Sequence, residues 1–283
     1  MRRQNAMAVM NLCAQSTLSA KLDQSRLYDW TMRVPIIGYS LFVLGHDVLS
    51  FCEQVATQQA AFQELDAGVA VAALARASQW IFIALLAILP AFRLPPIGKS
   101  DRIWPRLVAL VAVGLIPVFT LLERAPASLA FNSAAVLMGL IANVMAIVTV
   151  SFLGRSLSVM PEARRLVTSG PYAVVRHPLY LCEILGVIAM ILQYRSLVAI
   201  GLFALIIGVQ VLRACEEDAV LAGVFPDFSS YRTRTPFLVP HDPARFFTTF
   251  VVDPGTRRRS ALVIVTTVIV SVLALTGLPL LAR

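Results

Sequence analysis

Charged side chains are scarce in this sequence. Of its 283 residues, 14% are charged and 58% are hydrophobic, whereas soluble domains carry about 25% charged residues. A soluble fold of this length would leave much of that apolar surface in contact with water. The composition therefore excludes an ordinary soluble domain and predicts an integral membrane protein.

The sequence also lacks the residue spacing of metal sites and the cofactor-binding motifs of soluble enzymes. The four cysteines form no C-x-x-C pair, and the three histidines show no metal-ligand spacing, so we expect no metal site. There is no G-x-G-x-x-G motif after a strand, no phosphate-binding P-loop and no H-E-x-x-H motif. The sequence thus lacks the signatures of soluble nucleotide-binding enzymes and zinc proteases.

The net charge of +8 comes largely from arginines in short loops between apolar segments. That placement is typical of the positive-inside rule for membrane proteins, and no nucleic-acid-binding motif accompanies it. We therefore expect a lipid bilayer, and no nucleic acid, as the partner of this chain.

The hydrophobic residues are grouped in seven segments of about the length that crosses a bilayer core. Backbone groups inside lipid must satisfy their hydrogen bonds internally, so these segments are predicted to be helices. The predicted fold is all-α, a polytopic transmembrane helical bundle of about seven helices. The segments are 34–52, 72–92, 104–122, 128–153, 179–193, 196–215 and 261–281.

The fifth and sixth segments are separated by a very short polar linker. This spacing predicts a tight helical hairpin over 179–215. The fifth segment gives only about 22 Å of helix, so the sequence leaves open whether the hairpin crosses the bilayer fully.

Arginine clusters alternate between the two sides of the predicted bundle, which predicts a cytoplasmic N-terminus. In a bacterium, such a protein would lie in the inner membrane. We divide the chain into an N-terminal four-helix region (1–153), a catalytic region with the hairpin (154–260) and a C-terminal helix (261–283). The polar stretches at 154–178 and 216–260 are both predicted to be cytoplasmic.

A turn motif precedes the fifth segment, running from Gly170-Pro171-Tyr172 to Arg176-His177-Pro178-Leu179-Tyr180. Proline suits the first helical position, so Pro178 is predicted to begin the helix and His177 to cap it. A helix start favours an anion. The alternative is an ordinary helix start with interfacial side chains.

The sixth segment is followed by a cluster of charge formed by Arg213, Glu216, Glu217 and Asp218. We predict that the helix ends here. Carboxylates oppose the macrodipole at a helix C-terminus, which favours a dedicated use such as binding an ammonium group or ribose hydroxyls. The alternative is a solvated helix end. The predicted hairpin brings this cluster beside His177.

Glu183 lies in an apolar run one turn after Tyr180. Placing an ionisable residue within a membrane segment costs free energy, so such a residue points to a function. The alternative is that Glu183 lies close enough to the interface to stay hydrated. His46 and Asp47 are also ionisable residues of a predicted membrane segment. They lie near the other surface, where the adjacent polar loop accounts for their presence.

Together the two motifs resemble the isoprenylcysteine carboxyl methyltransferase family and the related phospholipid methyltransferases. The first block is the run 166–172 followed by 176–180 and Glu183. The second block contains Arg213, Glu216, Glu217, Leu221, Phe225, Tyr231, Val239 and Pro240. The resemblance covers about 166–240.

The resemblance implies S-adenosylmethionine as methyl donor, bound in a cytoplasmic pocket of the hairpin. The acceptor would be a lipophilic small molecule or a lipidated substrate, such as an isoprenylcysteine-type carboxylate, a phospholipid amine or a thiol. The implied catalytic residues are Arg213, Glu217 and Glu183. The implied cofactor-binding residues are Gly170, Tyr172, His177, Pro178, Tyr180, Glu216 and Glu217.

Two other classes remain open. Sterol-type membrane reductases share a similar C-terminal design and bind NADPH, but they usually carry asparagine where this sequence has Leu179. A non-enzymatic transport or assembly protein is the other alternative, although no inverted repeat is present. The sequence does not indicate an oligomeric state.

Overall fold

The computed structural model describes residues 26–57, 67–100, 102–115, 122, 128–194 and 196–281. Nine α-helices account for most of these residues, which confirms the all-α prediction. The helices are α1 (Arg26–Thr57), α2 (Ala67–Ala91), α3 (Trp104–Leu115), α4 (Leu129–Leu153), α5 (Pro178–Tyr194), α6 (Leu197–Val224), α7 (Phe228–Arg234), α8 (Pro243–Val252) and α9 (Pro254–Leu281).

Five of these helices are long and apolar enough to cross a bilayer, which indicates an integral membrane protein. The helices α3 and α5 are shorter, with 12 and 17 residues, so the predicted number of seven spans is not confirmed. The end of the third predicted segment, 116–121, lies outside the described residues. The five candidate spans are Arg33–Gln54, Gly68–Ala91, Ala130–Ser156, Leu197–Val224 and Pro254–Thr276.

The helix α4 lies at the centre of the bundle and packs against α2, α5 and α9. Its last turns, from Met145 to Val150, are buried on every side, as expected of a helix enclosed by neighbours. The helices α1 and α9 instead expose large apolar side chains, such as Phe42 and Leu273. These faces suit contact with lipid.

The helices α5 and α6 are consecutive and pack against each other. Ser196 caps the start of α6 by accepting a hydrogen bond of 3.0 Å from the Ala199 amide. The helix α6 runs to Val224, past its predicted end at 215, so the prediction that the carboxylates at 216–218 close the helix is wrong. They lie inside it, where Tyr180 of α5 faces Glu217 and His177, just before α5, faces Asp218.

A two-residue antiparallel ladder joins the α2–α3 connection to the segment after α4. Gly98–Lys99 pairs with Glu162–Ala163. Gly98 lies against the end of α6, where a β-carbon would come within 2.3 Å of the Val224 side chain. The ladder therefore holds the 154–177 segment close to α6, on the side where the site is found.

Two short helices that the sequence reasoning did not predict, α7 and α8, precede the last helix. In α8, Phe246 and Phe250 point inward and are buried. The following helix begins at Pro254, earlier than predicted. Asp253 precedes it and accepts hydrogen bonds from the amide and hydroxyl groups of Thr256 at 2.8 and 2.7 Å. These bonds, the hydroxyl bond first, hold the pKa of Asp253 below its usual value.

Candidate functional site

The start of α5 is fixed by the chain segment after α7. Pro178 is the first residue of α5, as predicted. The Arg176 amide donates to the Pro236 carbonyl oxygen at 2.9 Å, and the His177 amide donates to that of Phe237 at 3.3 Å. The His177 ring also meets the Phe237 ring edge-on. These contacts hold His177 in one place at the head of the helix.

Asp218 joins the start of α5 to α6. One of its carboxylate oxygens lies 2.9 Å from His177 Nε2 and the other lies 3.1 Å from the Arg176 guanidinium. All three side chains are buried, and both Asp218 oxygens have partners. Asp218 is therefore a structural clamp. The sequence reasoning left it out of the site because it was placed beyond the helix end.

Glu217 lies next to this clamp but has a different environment. One of its oxygens accepts a hydrogen bond of 3.0 Å from the Tyr180 hydroxyl and lies 3.8 Å from His177 Nδ1. Its side chain remains 37% exposed, and a carboxylate has about four lone-pair sites. Glu217 therefore keeps acceptor capacity for a ligand.

Further along α6, a polar chain connects the two helices. Gln210 is buried and donates to Glu183 on α5, while the Arg213 guanidinium donates to the Gln210 side-chain oxygen at 2.8 Å. Arg213 also lies 4.9 Å from the centre of the Tyr180 ring. The sequence reasoning missed Gln210. The available signal was its spacing to Arg213 and Glu217, which places all three on one face of a helix.

The turn at 170–173 closes the site from the side of α4. Gly170 has a φ of +62°, and a β-carbon there would come within 2.4 Å of the Phe152 ring. Only glycine suits this position, because left-handed backbone is strained for other residues and the ring leaves no space.

Tyr172 and Tyr231 fasten this turn to α7. The Tyr231 hydroxyl donates to the Tyr172 carbonyl oxygen at 2.7 Å. Burial, and then the nearby Glu217 carboxylate, raises the pKa of Tyr172 well above its usual value. Burial likewise raises the pKa of Tyr231, although the Arg176 guanidinium opposes it. Both hydroxyls therefore stay protonated at neutral pH.

These elements surround an open cavity of about 940 Å³, a volume that includes space continuous with solvent. Apolar side chains from Leu221 and Phe228 form part of its wall, and the segment 156–167 forms another part. Six predicted site residues line it, namely Tyr172, His177, Tyr180, Glu183, Arg213 and Glu217.

The other predicted site residues lie nearby without lining the large cavity. Gly170 shapes the turn that carries Tyr172. Pro178 is buried at the start of α5. Glu216 lines a separate, smaller cavity on α6. Within the described ranges there is no group of three histidine, cysteine or acidic side chains placed to hold a metal ion.

Residues 127–228 match the family model described as phospholipid methyltransferase. This confirms the predicted resemblance to the isoprenylcysteine and phospholipid methyltransferases and indicates a membrane methyltransferase. The matched region extends from just before α4 to the first residue of α7. Apart from Leu86 and Tyr231, every residue that lines the large cavity lies within it.

Two curated relatives match segments of this chain. The cobalt-zinc-cadmium resistance protein CzcN of Cupriavidus metallidurans is 42% identical over 78 residues, which cover 26% of this chain and 35% of that protein. The nickel-cobalt-cadmium resistance protein NccN of Alcaligenes xylosoxydans xylosoxydans is 33% identical over 103 residues, which cover 35% of this chain and 47% of that protein. The chain thus spans less than half the length of either relative.

Proposed function

We propose that this protein is an S-adenosylmethionine-dependent methyltransferase of the membrane that acts on a lipophilic acceptor. The observation that carries the proposal is the convergence on one cavity of a helix start, a partly exposed carboxylate and a guanidinium group. These belong to α5 and α6, the two helices that we propose as the hairpin bearing the donor site.

The residues around the large cavity fit such a donor. Glu217 retains acceptor capacity for the donor's ammonium group or ribose hydroxyls. The α5 start favours the donor's carboxylate through the amides of Leu179 and Tyr180, which have no partner within the helix. Pro178 has no amide hydrogen, and the His177 amide donates to Phe237. Leu221 and Phe228 offer apolar surface to a base. When bound, the donor supplies an activated methyl group.

The proposed catalytic residues position the reactants. Methyl transfer requires donor and acceptor at near-attack distance, about 3–3.5 Å. Arg213, held by Gln210 and the Tyr180 ring, would orient the acceptor. Glu183 fixes Gln210 from the opposite helix, and Glu217 would hold the donor. The lipophilic nature of the acceptor is inferred from the membrane setting of the site.

The first test measures binding. We expect S-adenosylmethionine and S-adenosylhomocysteine to bind the protein in lipid nanodiscs, and NADPH not to bind, because both sequence blocks resemble the methyltransferases and Leu179 stands where the reductases usually carry asparagine. Isothermal titration calorimetry with the three ligands checks this. Tight NADPH binding without any response to S-adenosylhomocysteine would reject the methyltransferase in favour of a reductase.

We further propose that the site faces the cytoplasm, since the arginine-rich loops lie on its side of the bundle. Ser169 and Ser229 are exposed there. The variants Ser169→Cys and Ser229→Cys should react with a membrane-impermeant maleimide in inverted vesicles and stay unmodified in intact cells. Labelling from the outer face of intact cells would overturn this orientation.

A further inference from the structure

A second, smaller cavity of about 230 Å³ adjoins the large one. Five residues border both cavities, namely Val159, Met160, Tyr180, Arg213 and Glu217. The remaining wall of the smaller cavity consists of Pro105 and Ala109 on α3, Pro161, and Glu216 on α6. We call this cavity the α3 slot.

The α3 slot lies at the edge of the bundle. The helix α3 packs chiefly against α6. Its inward residues Pro105 and Ala109 are buried, whereas Trp104, Leu107 and Leu110 are exposed. Among the described residues, α3 alone therefore separates the slot from the apolar exterior of the protein. A molecule dissolved in the bilayer would need to pass only α3 to reach it.

The walls of the slot differ in chemistry. The α3 side and Val159 to Pro161 are apolar, and the opposite side carries Arg213 and the two glutamates. The 230 Å³ includes space continuous with solvent, so the enclosed part of the slot holds only a small group. This combination suits the compact polar end of a lipid-soluble molecule, whose apolar remainder would lie along α3.

We propose that the α3 slot receives the reacting end of the methyl acceptor, and that Ala109 limits the width of the group that can enter. This inference rests on the proposed methyltransferase function. The donor and the acceptor must meet, and the slot shares a wall with the proposed donor cavity at Tyr180, Arg213 and Glu217. Pro105 and Ala109 lie outside the region 127–228 that matches the family model, so they set specificity through a part of this chain that the family match does not cover.

Two buried alanines on α3 provide a matched comparison. Ala109 and Ala112 are 1% and 6% exposed. Ala109 lines the slot, whereas Ala112 belongs to the packed cluster with Val108 and Val209. The variants Ala109→Cys and Ala112→Cys would be treated in lipid nanodiscs with hexyl methanethiosulfonate, and the modified site would be identified by mass spectrometry.

We expect Ala109→Cys to react at least about tenfold faster than Ala112→Cys, because the sulfur atom added at position 109 would face the slot, whereas the one at position 112 would meet the packed cluster. The added hexyl group should then lower methyl transfer to a total lipid extract, a prenylcysteine analogue and small thiols by roughly a hundredfold, since a misplacement of about 1 Å can cost that much. The affinity for S-adenosylhomocysteine should stay within about twofold, because Ala109 does not line the donor cavity.

Equal reaction rates for the two variants would overturn the slot proposal. Unchanged methyl transfer after modification at position 109 would also overturn it, as would a loss of S-adenosylhomocysteine affinity, because Ala109 would then lie on the donor side. An unmodified protein that binds no S-adenosylhomocysteine would instead contradict the proposed function itself. The two failures are therefore distinguishable.

Discussion

Replacing Glu217 by glutamine should weaken the binding of S-adenosylhomocysteine by roughly 10- to 100-fold, because hydrogen bonds to charged groups contribute about 1.5–3 kcal/mol. Glu217 is 37% exposed and lines the large cavity. Glutamine keeps its size and can still accept the Tyr180 hydroxyl hydrogen bond. The loss would therefore report the charge offered to the ligand. Titration calorimetry of both proteins in lipid nanodiscs measures it.

Glu216→Gln is the matched control, since it removes the same charge one residue away. Glu216 lines the α3 slot and not the large cavity, so its substitution should change the affinity for S-adenosylhomocysteine by less than about twofold, because its side chain does not border the proposed donor site. The sequence predicts both glutamates as cofactor-binding residues. Comparing the two variants shows which of the two carboxylates binds the ligand. Equal losses in the two variants, or a loss in Glu216→Gln alone, would contradict the assignment of Glu217.

The start of α5 was predictable because it depends on local chemistry. A proline fixes its own φ and restricts the residue before it, so Pro178 marks a helix start in the sequence. Tyr180 and Glu183, three residues apart, were then expected on one face. The structure has them both on the cavity, facing α6.

The end of α6 was not predictable in the same way. Hydropathy falls where Glu216 begins the charged cluster, and that fall predicts a helix end at this point. The helix continues because His177 and Tyr180, about forty residues earlier, provide partners for Asp218 and Glu217. A contact between such distant residues leaves no periodic signal. The clamp at Asp218 was missed for the same reason.

The α3 slot illustrates a further limit of sequence patterns. Pro105 and Ala109 belong to a short apolar helix whose residues look like any membrane segment. What distinguishes them is that α3 packs against α6, so that they face Arg213. The sequence shows which helix faces are apolar. Which neighbouring helix each face packs against depends on packing across the whole bundle.

Replacing Asp218 by asparagine should destabilise the protein by about 3–5 kcal/mol, which is typical when one partner of a buried ion pair is removed. Arg176 and Asp218 are 8% and 9% exposed in their side chains. Asparagine has nearly the same shape, so the effect would come from the buried Arg176 charge left uncompensated and from the weakened His177 contact. Thermal unfolding of the purified protein in detergent measures the change.

A double-mutant cycle separates this charge effect from a loss of packing. If the cost arises from an unpaired charge, then Arg176→Gln combined with Asp218→Asn should be less destabilising than the sum of the two single variants, because neighbouring groups that interact are not additive. Asp227→Asn is the control. That residue is exposed at the start of α7 without a side-chain capping bond, and its substitution should change stability by less than about 0.5 kcal/mol. Simple additivity of the two substitutions would show that Asp218 does not act as the clamp between α5 and α6.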